Sequence, residues 1–366
     1  MTDLIRIPLP DDFHAHFRRG PAAAAYIRRH AAWFGRALAM PNTVPPVVSG
    51  VEVARYREEL RAAAARNSPV AGNGPTAGHD FAAGNSPVAE SGPTAGQRFE
   101  PLMTFKIMPG MSADTVASCA AAGAIAGKYY PAGATTNSSD GLRSPDDAEE
   151  ALEAMESLDL VLCVHGEDPE APVFEREKAF LPTLERIMTR RPGLRVVLEH
   201  LSSTEAVRFV LSGPRNLGAT VTAHHLLFTL EDMLAEGMNP HLYCKPVLKT
   251  AADRETLRDA VFSGSPKLFF GSDSAPHPRA AKECAHAASG VYSAPSALSA
   301  LAELFDSVGL PGKLGSFTGA YGARFYGLPE PAGTLTLERS PWTVPAECDG
   351  AVPMCAGAAM NWRIRA

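Results

Sequence analysis

Eight short apolar runs recur along the chain, at residues 5–8, 37–40, 102–107, 124–129, 160–164, 196–199, 220–223 and 268–270. They do not alternate strictly between apolar and polar positions, and turn residues bound them. Runs of this kind suit strands buried on both faces of a parallel sheet. Between them the apolar spacing predicts helices over 21–30, 51–66, 112–122, 145–157, 181–191, 204–211 and 253–261, with an eighth over 294–308. Several open on a capping residue or a first-turn proline: Ser112, Ser144 ahead of Pro145, and Ser203 with Thr204. Strand-then-helix units in such a series predict an α/β fold, a (β/α)8 TIM barrel. An open doubly wound sheet is the competing arrangement. Such sheets carry a glycine-rich phosphate turn after the first strand, and here that position reads H-A-H.

Two stretches fall outside the pattern. Residues 67–96 hold a tandem duplication, N-S-P-V-A-G-N-G-P-T-A-G and then N-S-P-V-A-E-S-G-P-T-A-G. It is too short and polar to stack as a solenoid. It reads as a low-complexity surface insertion without function, within a single domain spanning 1–366. From about residue 329 the chain is proline-rich and aperiodic; T-L-T-L at 334–337 reads as an edge strand and the end as a tail packed on the barrel.

Composition narrows the classes of function. The 366 residues are 45% hydrophobic and 20% charged, an ordinary globular balance in a chain long enough to bury a core without cross-links. A net charge of −6 offers no basic face to nucleic acid. No apolar run approaches the ~18 residues of a membrane span, and M-T-D-L-I-R-I-P lacks the regions of a secretory signal. The cysteines at 119, 163, 244, 284, 348 and 355 form no C-x-x-C pair, which predicts reduced thiols in a cytoplasmic protein.

Ionisable residues collect where the runs end. The first is followed by His14, His16 and Arg18, the second by Asn42. The fourth carries Lys128, the fifth ends at His165 and the sixth at His200. The eighth leads to Asp273 and His277. In a barrel all these positions fall on the C-terminal face, where active sites are built. One buried histidine is ordinarily a packing residue, but so many polar groups on one rim point to chemistry. In a strand, residues i and i+2 share a face, so His14 and His16 can aim at one metal ion; neutral imidazole suits zinc. Lys128 has two readings. It is either a positive group for an anionic substrate or, carboxylated to a carbamate, an anionic bridge between two metals. His224 and His225 read as packing groups, His30, His79, His241 and His286 as surface or loop positions, and Cys163 as barrel filling.

The motifs H-A-H-F-R, M-P-N-T-V-P-P-V, G-K-Y-Y-P-A-G-A-T-T-N-S, V-H-G-E, E-H-L-S, H-L-Y-C-K-P-V-L-K, G-S-D-S-A-P-H and R-F-Y-G-L-P together resemble the dihydroorotases of the amidohydrolase superfamily, closest to the stand-alone bacterial type. The resemblance covers nearly all the chain except 67–96. It implies two zinc ions: one held by His14, His16, carboxylated Lys128 and Asp273, the other by that carbamate, His165 and His200. It implies that Arg18, Asn42 and His277 grip the substrate carboxylate, that His16 and His165 also touch substrate, and that main-chain groups at Lys245 and Ser289 meet its ring. Thr135 and Thr136 match the tip of a mobile loop. The reaction implied is the reversible hydrolysis of dihydroorotate to N-carbamoyl-L-aspartate. Metal-generated hydroxide attacks the ring carbonyl while Asp273 carries the proton to the leaving nitrogen. A homodimer follows from the resemblance alone. Departures are the small alanine within H-A-H, Gly133 in the loop and the duplicated insertion; none removes a ligand. Another cyclic amidase, such as a hydantoinase or allantoinase, and a non-catalytic barrel partner are the alternatives.

Overall fold

The first apolar run does not enter the barrel. In the computed structural model, which describes residues 3–20, 23–65 and 99–365, Leu4–Pro8 (β1) precedes the true first barrel strand, Asp11–Ala15 (β2). There follow Arg36–Ala39 (β3), Glu100–Lys106 (β4), Ala124–Tyr129 (β5), Val161–Val164 (β6), Arg195–Leu198 (β7), Leu217–Val221 (β8) and Leu268–Phe270 (β9). Strands β2 to β9 form one eight-stranded parallel sheet in sequence order. The sheet is drawn together beyond the end of β9: Asp273 N donates to His14 O at 2.8 Å and His16 N to Ser274 O at 3.0 Å.

The displaced assignment has a physical cause. L-I-R-I-P buries Ile5 and Ile7 and turns Arg6 outward, the alternation of a half-buried strand. D-D-F-H-A reads as polar, yet every residue in it is buried. Its charges are met inside the fold: Asp11 pairs with Arg36, and Asp12 with His30 at 2.9 Å. His30, expected at the surface or in a loop, lies on the helix Ala23–Ala31 and is only 1% exposed. Two strands form in the C-terminal stretch, Thr334–Thr343 (β10) and Ala359–Ile364 (β11). They join β1 in a second sheet of order β1-β10-β11, so the T-L-T-L segment lies in the central strand and not at an edge.

Helices occupy the expected intervals at Ala23–Ala31, Gly50–Ala65, Ala113–Ala121, Glu149–Ser157, Arg176–Arg190, Thr204–Ser212, Ala251–Ser263 and Ala297–Ser307. Ser112, Ser144 and Ser203 cap as predicted, accepting from Thr115 N, Asp146 N and Ala206 N. The fifth helix starts at Arg176, earlier than position 181, and carries Pro182 within it. Short helices at Ala223–Leu227 and Leu230–Leu234 were not expected.

Strand alternation divides the core. Outward positions pack against the helices, while Phe13, Leu38, Leu102, Ala126, Val161, Cys163, Val197 and Phe269 fill the barrel. Tyr326, from the segment after Tyr321–Phe325, stacks on Phe13 at 4.9 Å between ring centres and closes the floor. Gly322 permits this close approach: a Cβ there would lie 2.2 Å from the Phe13 ring. Cys163 is buried with its Sγ 3.2 Å from the Tyr326 hydroxyl, as a filling residue should be. No helix among the described residues is long and apolar enough to cross a membrane. The duplicated stretch 67–96, with His79, lies outside the described residues.

Candidate active site

One step beyond the filled layer, the same alternation turns polar. Ala126 leads to Lys128, Cys163 to His165, Val197 to Glu199, and Phe269 through Gly271 to Asp273. All eight strands are parallel, so these groups share the C-terminal mouth. His14 and His16 converge there, with their Nε2 atoms 3.2 Å apart, but not by simple alternation along a strand. The pairing register shifts between Asp12 and Ala15, and His16 lies past the strand end. Such an irregularity re-aims side chains: Phe13 fills the floor while its neighbour His14 reaches the mouth. Three residues here have left-handed backbones, Arg18 (φ 61°), His200 (φ 43°) and Asp273 (φ 42°), a concentration of strain of the kind found at functional sites.

The donor set forms two groups. His14 Nε2, His16 Nε2 and Asp273 Oδ1 stand 3.2–3.4 Å from one another. His165 Nδ1 and His200 Nε2 stand 3.0 Å apart. Ligands on a tetrahedron with ~2.0 Å bonds are separated by about 3.3 Å, so both groups fit a first-row metal ion. The outer partners fit as well. His14 Nδ1 meets Glu199 Oε2 at 2.6 Å, and His165 Nε2 meets Glu167 Oε2 at 2.9 Å. In each case the ring N–H donates to the carboxylate, which fixes the tautomer that leaves the other nitrogen free to ligate. Lys128 is fully buried and its Nζ lacks a hydrogen-bond partner; Glu199 Oε1 is 3.8 Å away. Burial pulls the ammonium below the usual lysine range, favouring the neutral amine. A neutral amine is the form that adds carbon dioxide, so this orphaned nitrogen suits a carbamate.

Eleven of the thirteen predicted residues line one cavity: His14, His16, Arg18, Asn42, Thr135, Thr136, His165, His200, Lys245, Asp273 and Ser289. Lys128 lies buried between the two donor groups, and His277 stands behind Arg18, its Nε2 2.8 Å from Arg18 Nη2 and 3.1 Å from Ser289 O. Burial first, and then the Arg18 charge, lower His277 to about 3, so it is neutral and can accept from Arg18. The loop of residues 131–141 is tied across the cavity. Asn42 Nδ2 donates to Thr136 O at 3.1 Å, Thr136 Oγ1 lies 3.1 Å from Ser289 Oγ, and Lys106 Nζ holds Asn137 O at 2.9 Å and the Asp140 carboxylate. Gly133, with φ 79°, has a backbone that disfavours a side chain. The cavity so enclosed measures about 20 Å³, roughly the room of one water molecule.

Sequence reasoning passed over Glu199, Glu167, Tyr130 and Lys106. Glu199 was visible in the alternation from Val197, and Glu167 in the V-H-G-E motif. Tyr130, whose ring lies 5.4 Å from Lys128 Nζ, follows the strand directly. His224 and His225 stay out of the ligand groups. His225 Nε2 and Cys244 Sγ both point at Pro246 O, at 3.1 Å each.

With this geometry the class is clear. Residues 113–349 match the amidohydrolase family, and the chain belongs to it. A dihydroorotase of Marinobacter nauticus is 41% identical over 372 aligned positions, covering 100% of both chains. The solved dihydroorotase of Campylobacter jejuni superposes with a TM-score of 0.85 at 31% identity, covering 100% of this chain and 98% of that one. The dihydroorotase of Saccharomyces cerevisiae in complex with 5-fluoroorotic acid superposes with a TM-score of 0.83 at 29% identity, covering 100% and 99%. Among the amidohydrolases, this chain is a member of the dihydroorotase family.

Proposed function

We propose that the chain hydrolyses (S)-dihydroorotate reversibly to N-carbamoyl-L-aspartate, closing the ring in the biosynthetic direction as the third step of pyrimidine nucleotide synthesis. The observation that carries this reading is the meeting of two metal-type donor groups with the Arg18–His277 pair in one enclosed mouth. The donors suit amide hydrolysis; the guanidinium suits a substrate that carries a carboxylate beside its cyclic amide. The yeast relative's bound 5-fluoroorotic acid is likewise a ring that carries a carboxylic acid.

His14, His16, Asp273 and the carbamate of Lys128 would hold one zinc ion; the carbamate, His165 and His200 would hold a second. Such a pair supplies Lewis acidity that brings water to hydroxide near neutral pH and polarises the ring carbonyl. Asp273 takes the proton of the attacking water and delivers it to the ring nitrogen as the C–N bond breaks. Arg18 and Asn42 hold the carboxylate, His277 serves that grip through its contact with Arg18, and His16 and His165 stand beside the reacting carbon. Main-chain groups at Lys245 and Ser289 bound the ring. Loop 131–141 would open for entry and then exclude water through Thr135 and Thr136, which line the cavity. The reading includes a cytoplasmic homodimer, which light scattering would size.

The test is dihydroorotate turnover before and after chelation, with zinc restored, alongside Arg18→Met. Turnover falls on chelation and returns with zinc, and Arg18→Met loses about 100-fold or more in kcat/KM, the scale of one lost buried charge contact. Near-normal kinetics in Arg18→Met would rule out a carboxylate-bearing substrate.

A further inference from the structure

Beyond the metal ligands and the carboxylate grip, one buried cation is built into the wall that faces the ring. Lys282 ends the short helix Arg279–Lys282 and is 3% exposed. Its ammonium donates to Tyr243 O at 2.9 Å, Ala288 O at 2.8 Å and Gly290 O at 2.7 Å. All three N–H bonds are thereby used, and none of these partners is a carboxylate. Three carbonyl dipoles converging on one point repel each other; a point-like ammonium reverses that repulsion.

The carbonyls belong to two separate segments. Tyr243 lies two residues before Lys245, and Ala288 and Gly290 flank Ser289. Gly290 N adds a direct bond to Tyr243 O at 2.9 Å. The first segment is also held at its other end, where His225 Nε2 and Cys244 Sγ meet Pro246 O. The second is pressed against the segment that follows β9, since a Cβ on Gly290 would lie 2.6 Å from Ala275 O. Both segments line the cavity through Lys245, Ser289 and Gly290. We propose that Lys282 is a positioning residue for substrate: its ammonium clamps segments 243–246 and 288–290 together, fixing the main-chain groups that bound the ring acid. This rests on the functional reading above, in the part that assigns Lys245 and Ser289 to the substrate ring.

The clamp touches no metal ligand, so its loss weakens the grip on the ring and leaves the reacting centre in place. In the zinc-loaded full chain, Lys282→Met raises KM for dihydroorotate about tenfold or more, while kcat stays within about threefold, the pattern of lost uniform binding. Bound zinc is unchanged. The dissociation constant for orotate, measured by calorimetry without turnover, rises in step with KM. Lys282→Gln restores part of the bonding and falls between Lys282→Met and the unaltered chain. An unchanged KM and orotate affinity in Lys282→Met would overturn the proposal. So would loss of zinc or of fold in both variants, which would make Lys282 a structural strut. If the unaltered chain binds orotate yet fails to turn over dihydroorotate, the functional reading fails and the orotate comparison still decides the clamp.

Discussion

Glu199 decides which nitrogen of His14 looks into the donor group. Its Oε2 takes His14 Nδ1 at 2.6 Å and the Thr220 hydroxyl at 2.6 Å, while Oε1 faces Lys128. Glu199→Gln keeps the shape but loses the charge that holds this tautomer, so metal affinity falls about 10- to 100-fold. Zinc retained after dialysis against graded chelator measures it. Histidines away from the ligand groups set the acid limit. Burial lowers His224 to about 4 and His225 and His277 to about 3. Between these values and the ordinary histidine range near 6.5, the unfolded chain binds protons that the folded chain does not. Their contribution is therefore full above pH ~6.5 and lost as pH falls toward 4. Urea midpoints across that range should decline on acidification, and His224→Gln should flatten the slope by about one proton. At this scale the site was largely legible, because polar residues at apolar strand ends stand out. Glu199, though in step with the alternation from Val197, was overshadowed by the adjacent His200, which reaches the mouth by a left-handed backbone turn.

Among the elements, the loop 131–141 is held closed from below. Lys106, buried at the end of β4, reaches up to Asn137 O and Asp140. Lys106→Met removes the charge-assisted latch, a contact on the order of 1.5–3 kcal/mol when intact. The closed state is then less populated, kcat/KM falls about tenfold or more, zinc content is unchanged, and limited proteolysis cuts the loop faster. Lys106 was not legible because it lies inside an apolar run, where a long side chain gives no hint of what it meets across space. The first barrel strand was illegible for the opposite reason. Its two aspartates look like a surface turn until Arg36 and His30 are folded against them. Apolar pattern finds strands that are buried without charge; it misses those whose charges are answered elsewhere.

At the scale of the whole molecule, the barrel separates chemistry from support. The mouth carries the donor groups and the floor is sealed by Phe13 and Tyr326; the described chain resumes at residue 99 just before β4, where Glu100 pairs with Arg61 of the helix Gly50–Ala65 at 2.6 Å. Deleting residues 67–96 and rejoining the flanks leaves kcat within a few fold, measured on the zinc-loaded protein; loss of activity with the fold intact would mean that the segment reaches the mouth or a subunit interface. The seam of the barrel carries a further consequence. His14 and Asp273 come from its first and last strands, and their backbones are hydrogen-bonded to each other where the sheet is drawn together. During synthesis, a chain that has emerged only through His200 already holds both histidines of the first donor group and both of the second, yet its first group lacks its carboxylate. Bringing the two ends of the barrel together is a long-range event, slow compared with local helix formation. A metal ion held by His14, His16 and Asp273 would therefore find its full donor set only after the barrel's two ends have met.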